Sequence, residues 1–184
     1  MSTKLLRTIR LDPSDTFAFE QAAEPGEWAV PGSFMFFGTD VAALKGKPKI
    51  AFRSGFLGLG SFGWSTIAVV VQATPDERQE AVQHLAENLV AHHGAPDMGT
   101  ALAAADDELA FAESCADHPE QTLVVIHRTL GDDGDIREQF RTVKAGLPFS
   151  KDSHSRVFTF HEVEGEDEPE ERVDLADMID KKTA

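Results

Sequence analysis

Five side chains, His127, Arg128, Arg137, Glu138 and Arg141, are the best candidates for acid–base chemistry, since a general base must reach a second polar group within hydrogen-bond distance. All five fall on two segments, 122–130 and 136–143, that read as the paired strands of a hairpin. Lateral charge pairs on an antiparallel ribbon explain them equally well. The chain has no tyrosine, which excludes phenolic acid–base chemistry. Cys115 lies in an acidic, alanine-rich stretch with no basic neighbour to lower its pKa, so it reads as a buried, inert thiol and not as a nucleophile.

Two other patterns point to ligands and fail on context. Gly58-Leu59-Gly60-Ser61-Phe62-Gly63 fits G-x-G-x-x-G, but the glycines precede a strand where a pyrophosphate site needs a helix N-terminus. A bend entering the sheet accounts for them. Seven histidines raise the question of a metal. His92 and His93 end one expected helix, and Cys115, Asp117 and His118 end the next. Antiparallel helices would put those two ends on the order of 25 Å apart, and no spacing matches a known ligand set. We expect no metal and no cofactor.

The densest feature is aromatic: Trp28, Phe34, Phe36, Phe37, Phe52, Phe56, Phe62 and Trp64, with glycines interleaved. A core explains most of these rings. A strand-edge aromatic beside glycine also shapes a pocket or docking surface, and Arg53 within the same stretch can fix an anionic group. Trp28, Phe36, Arg53, Phe56, Phe62 and Trp64 are therefore the candidate partner- or ligand-binding residues. The second candidate group is the polar strand cluster His127, Arg137, Glu138 and Arg141.

The elements that must position these groups read in order. Lys4–Leu11 is a strand, Asp12-Pro13-Ser14-Asp15 a turn, and Thr16–Glu20 the returning strand. Phe34–Phe37 reads as a strand buried on both faces. Thr39 and Asp40 cap a short helix that Gly46 and Pro48 end; 50–57 is ambiguous. Trp64–Gln72, rich in β-branched residues, is the clearest strand. Thr74-Pro75-Asp76-Glu77 opens a helix with an N-cap, a proline at N1 and a capping box. Its buried stripe is Val82, Leu85, Ala86, Leu89 and His93, and Gly94 ends it. A second helix follows Pro96, with a stripe of Met98, Leu102, Ala105, Leu109, Ala112 and Ala116. Ser155–Val163 reads as the last strand. The sum is α+β: a mainly antiparallel sheet of about six strands with an antiparallel helix pair packed on one face.

With 184 residues, 17 basic and 32 acidic side chains, the chain fits one domain carrying a net charge of −15. Residues 162–184 hold ten acids and three bases, so we expect a single domain over 1–163 and a solvated acidic tail over 164–184, where Val173, Leu175, Met178 and Ile179 could form a short docking helix. The charge makes nucleic acid and anionic lipid poor partners. One cysteine closes no intrachain disulfide, and the start lacks the apolar run of a signal peptide, so a cytoplasmic location is expected. The uncharged stretch 54–75 is broken by glycines, and its apolar core Ile67–Val71 has only the length of a strand, so no membrane span is expected.

The stretches Leu5–Phe17, Ala29-Val30-Pro31-Gly32, Phe52–Gly58, Phe62–Thr66 and Ile136–Arg141 resemble a family of small, uncharacterised proteobacterial proteins, over roughly residues 4–143. That family supplies no established activity and no catalytic residues. The resemblance implies an accessory role linked to metalloenzyme or cofactor maturation. The expected function is a non-catalytic accessory or assembly protein that docks a partner protein, with a second copy of the chain among the partners left open. The alternative is a small-ligand-binding protein or enzyme with an aromatic and arginine pocket.

Overall fold

The structure, a computed structural model, describes residues 2–143. The expected strand over 155–163, the acidic tail and its docking helix lie outside the described residues. The strands are β1 (Thr3–Ile9), β2 (Trp28–Val30), β3 (Phe56–Gly58), β4 (Trp64–Ser65), β5 (Ile67–Ala73), β6 (Leu123–Leu130) and β7 (Ile136–Val143). They form one seven-stranded sheet in the order β4-β3-β2-β1-β5-β6-β7, every neighbouring pair antiparallel. The helices are α1 (Ser14–Ala18), α2 (Gly46–Ser54), α3 (Pro75–His92) and α4 (Met98–Cys115). The class is α+β, with seven strands where about six were expected.

The helix pair α3–α4 bridges the adjacent strands β5 and β6. Thr74 caps α3 by accepting the Glu77 N–H, while the Glu77 carboxylate accepts from the Thr74 N–H at 2.8 Å. Asp97 caps α4 through the Thr100 N–H at 2.7 Å. Gly94 is left-handed, at φ +73°, as a helix stop requires. Ala81, Val82, Leu85 and Ala86 of α3 and Ala101, Ala105, Leu109 and Ala112 of α4 pack with Leu5, Val30 and Leu57 of the sheet. The α4 stripe starts at Ala101, not at Met98, which is exposed. Leu6, Ala29, Phe56, Val70, Val124 and Ile126 form a second cluster with Cys115 and Ala116 at the end of α4.

Between β1 and β3 the chain departs from the expected strands. Thr16–Glu20 is not a strand: Asp12 accepts the Ser14 N–H at 2.8 Å and Pro13 fixes the turn, so the segment coils into α1. Phe34–Phe37 is not a strand either. Gly32 and Gly38 bracket it at φ +76° and +77°, which turns the chain into a 3-10 helix over Ser33–Phe36. The expected helix from Thr39 to Leu44 shrinks to a 3-10 turn over Val41–Ala43, because Asp40 makes no cap. Gly46 and Pro48 open α2 where they were expected to end a helix. Proline is tolerated in a first turn, whose N–H groups have no partner within the helix.

The six-residue glycine pattern is the turn between β3 and β4. Here Gly63 sits against the neighbouring chain: an added Cβ would lie 2.5 Å from the backbone C and O of Ala22. That backbone is fixed by the Ala23 N–H donating to the Trp64 carbonyl at 2.8 Å, and the Trp64 N–H to that of Gln21 at 2.9 Å. Gly63→Ala is expected to lower the unfolding free energy by about 1–3 kcal/mol in urea titrations.

Candidate functional site

Val124, Ile126 and Arg128 alternate onto one face of β6, and all three are buried, Arg128 to 1% exposure. The Arg128 guanidinium donates from Nε to Glu138 Oε1 at 2.8 Å, its cross-strand partner on β7. Nη1 donates to the carbonyls of Phe52 at 3.0 Å and Gly55 at 2.8 Å, and Nη2 to that of Pro31. Carbonyls at a helix end lack partners and carry the negative pole of the helix dipole, so a cation there satisfies both demands. Arg128 thus clasps β6 to the end of α2 and to the loop after β2. Burial pulls its pKa down, against the hydrogen bond it donates to Glu138.

Glu108 on α4 lies on the same loop, accepting the Gly32 N–H at 2.9 Å. Burial raises its pKa above the usual carboxylate range; the Gly32 hydrogen bond opposes this, Glu138 adds to it and Arg128 offsets it. A carboxyl whose folded pKa is raised leaves stability intact below its unfolded value. It erodes stability as pH climbs from about 4 towards the folded pKa, because the unfolded chain ionises first. Glu108→Gln keeps an acceptor for Gly32. The variant is expected to gain in melting temperature over wild type as pH rises from 4 to about 7, and to match it most closely at the acid end.

His127 points to the opposite face of β6, level with Gln139, and Arg141 is its diagonal neighbour on β7. Burial lowers the His127 pKa, and the positive charges of Arg53 and Arg141 lower it further. The structure therefore brings together Arg53, His127 and Arg141 from α2, β6 and β7. Arg137 stands apart, exposed and ion-paired to Asp133 at 3.0 Å. Glu138 belongs to Arg128 on the other face, so the polar strand cluster divides in three. This arrangement suits electrostatic attraction of an anion more than proton transfer, since both charges acting on His127 are cations.

The aromatic candidates are placed mostly inside. Phe56 is fully buried and Phe36 nearly so. Trp64, half-buried, stacks on Phe36 with centroids 5.3 Å apart. Trp28 carries the Arg7 guanidinium 3.6 Å above its ring, and Phe62 stacks on His93 at 5.7 Å. The rings that project are Phe17, 75% exposed, and Phe37, 73% exposed, with Ile50 and Leu130 also open. Each of the four stands beside a member of one small cluster, Phe19, Phe36, Ala51 and Phe52 with Ala18 and Ile136 packed against it. Phe17 adjoins Ala18, Phe37 adjoins Phe36, Ile50 adjoins Ala51, and Leu130 pairs with Ile136 across the hairpin.

Sequence reasoning misses Phe17 and Phe37 because both fall in segments that read as strands. The turn residues at 12–15 and the glycines at 32 and 38 were the available signals. Burial pushes the Cys115 thiol up to about 11, which suppresses its thiolate. Among the described residues no three His, Cys, Asp or Glu side chains gather to hold a metal, and no helix is long and apolar enough to cross a membrane.

No curated protein and no solved structure matches the chain. Residues 2–161 match a family of unknown function, DUF6505, and with most of its length covered the chain belongs to that family.

Proposed function

We propose that this chain is a non-catalytic, cytoplasmic accessory or assembly protein that docks a partner protein, in the service of metalloenzyme or cofactor maturation. The observation that carries docking is the exposure of Phe17 and Phe37, each next in sequence to a residue of the Phe19, Phe36, Ala51 and Phe52 cluster. Large aromatic side chains left this exposed contribute little to the core and are the residue type that anchors protein interfaces. The polar groups best placed for chemistry serve other ends, since Arg128 and Glu138 are committed to each other and to the backbone. The link to maturation rests on the family resemblance alone.

A second reading, a small anionic ligand, is favoured by the gathering of Arg53, His127 and Arg141. Native mass spectrometry of freshly purified protein separates the two. A stoichiometric co-purifying polypeptide supports docking. A stoichiometric small-molecule adduct on an otherwise single chain supports the ligand reading and contradicts docking.

A further inference from the structure

α2 is a cationic helix in an anionic protein. Its cap and nine residues carry Lys45, Lys47, Lys49 and Arg53 and no acid, while the chain as a whole has 17 basic and 32 acidic side chains. Lys45, Lys49 and Arg53 recur at intervals of four, which places them along one ridge. All four side chains are exposed, and among the described residues none has an ion-pair partner. Locally this arrangement is unfavourable. Like charges four apart repel, and cations in a first turn oppose the positive pole of the helix. α3 shows the usual solution, with Asp76 and Glu77 in its first turn. The ridge runs from Lys45 to Arg53, whose charge reaches His127 alongside that of Arg141. Ile50 lies on the same helix, whose Ala51 and Phe52 cluster with Ala18 and Phe36, the sequence neighbours of the exposed Phe17 and Phe37.

Resting on the docking reading, we infer that the partner presents an acidic polypeptide segment with apolar side chains at helical spacing, laid along the Lys45–Lys49–Arg53 ridge with its apolar face on Phe17, Phe37 and Ile50. Charge complementarity selects acid, and the projecting rings select a ligand with apolar side chains, which a free phosphate lacks. Exposed acids stand close in sequence to the same elements, at Asp12 before α1, at Asp40 after Phe37, and at Asp132, Asp133 and Asp135 in the β6–β7 turn. A flat anionic bilayer averages over those acids and the ridge together, whereas a narrow peptide can follow the ridge.

The test uses the full chain and dye-labelled synthetic peptides in fluorescence anisotropy: an amphipathic Glu/Leu helix, its Lys/Leu twin, and vesicles containing phosphatidylserine as competitor. The Glu/Leu peptide is expected to bind, more weakly as salt rises, and the Lys/Leu twin not to bind. Lys49→Glu/Arg53→Glu is expected to weaken that binding by about tenfold or more, with an unchanged melting curve. Equal binding of both peptides, no binding of the acidic one, or displacement by the vesicles would overturn the inference. The double charge variant also distinguishes this inference from its foundation. If it keeps the co-purifying polypeptide that Phe17→Ser/Phe37→Ser loses, the acidic segment is refuted and docking stands. If the Phe17→Ser/Phe37→Ser variant keeps that polypeptide as well, the docking surface itself is refuted.

Discussion

Arg128→Met is expected to cost about 3–5 kcal/mol of unfolding free energy, the range for breaking one side of a buried ion pair. Three consequences add up. Glu138, only 11% exposed, loses the cation that neutralises it. The carbonyls of Pro31, Phe52 and Gly55 lose their donors within the core, each at a penalty of about 1–3 kcal/mol unless the backbone relaxes to water. The end of α2 is then untied from the sheet. Domains of this size are stable by only about 5–15 kcal/mol, so the variant should be close to unfolding at physiological temperature. Arg128→Lys should rescue little, because a single ammonium cannot span a carboxylate on β7 and carbonyls from two further chain segments. Arg128→Met/Glu138→Met should be more stable than Arg128→Met alone, since it leaves no orphaned carboxylate. Denaturant titration of the three variants checks this, and a single variant within about 1 kcal/mol of wild type would contradict the clasp.

Phe17→Ser/Phe37→Ser is expected to do the reverse, leaving the fold intact and removing the partner. Both rings stand at least 73% exposed, so their loss should change unfolding free energy by no more than about 0.5 kcal/mol. At an interface, aromatic anchors are commonly worth about 2 kcal/mol or more each. The double variant should then weaken partner binding by several hundredfold or more, a loss visible as the disappearance of the co-purifying polypeptide in native mass spectrometry. Phe111→Ser serves as the control. Phe111 is also exposed, at 40%, but packs edge-on against Phe140 and lies on α4, which contributes no residue to the Phe19, Phe36, Ala51 and Phe52 cluster. Its loss should leave partner binding unchanged.

Much of the scaffold was legible because its signals are local. Thr74-Pro75-Asp76-Glu77 specifies a helix start by side-chain hydrogen bonding within four residues, and α3 begins there. The β-branched run in β5 and the Gly131–Gly134 turn between β6 and β7 likewise carry their own instructions; the Gly134 N–H donates to the Gly131 carbonyl at 2.9 Å. The segment between β1 and β3 was not legible, because its apolar runs are compatible with strands and only turn chemistry decides otherwise. Phe34–Phe37 has the composition of a buried strand, yet the left-handed glycines on either side force a tight coil. The site divides in the same way. Alternation with Val124 and Ile126 marks Arg128 as inward-pointing, and pairing across the hairpin marks Glu138. The carbonyls to which Arg128 donates come from residues 31, 52 and 55, which no local pattern links to β6. The convergence of Arg53 with His127 and Arg141 is equally non-local, depending on how the end of α2 docks.

A photo-reactive phenylalanine analogue at position 37 probes the docking surface in the intact protein, with the same analogue at position 111 as reference. Illumination should attach a polypeptide through position 37 and little or nothing through position 111. Equal yields from the two positions, or none from position 37, would show that the projecting rings do not receive a partner.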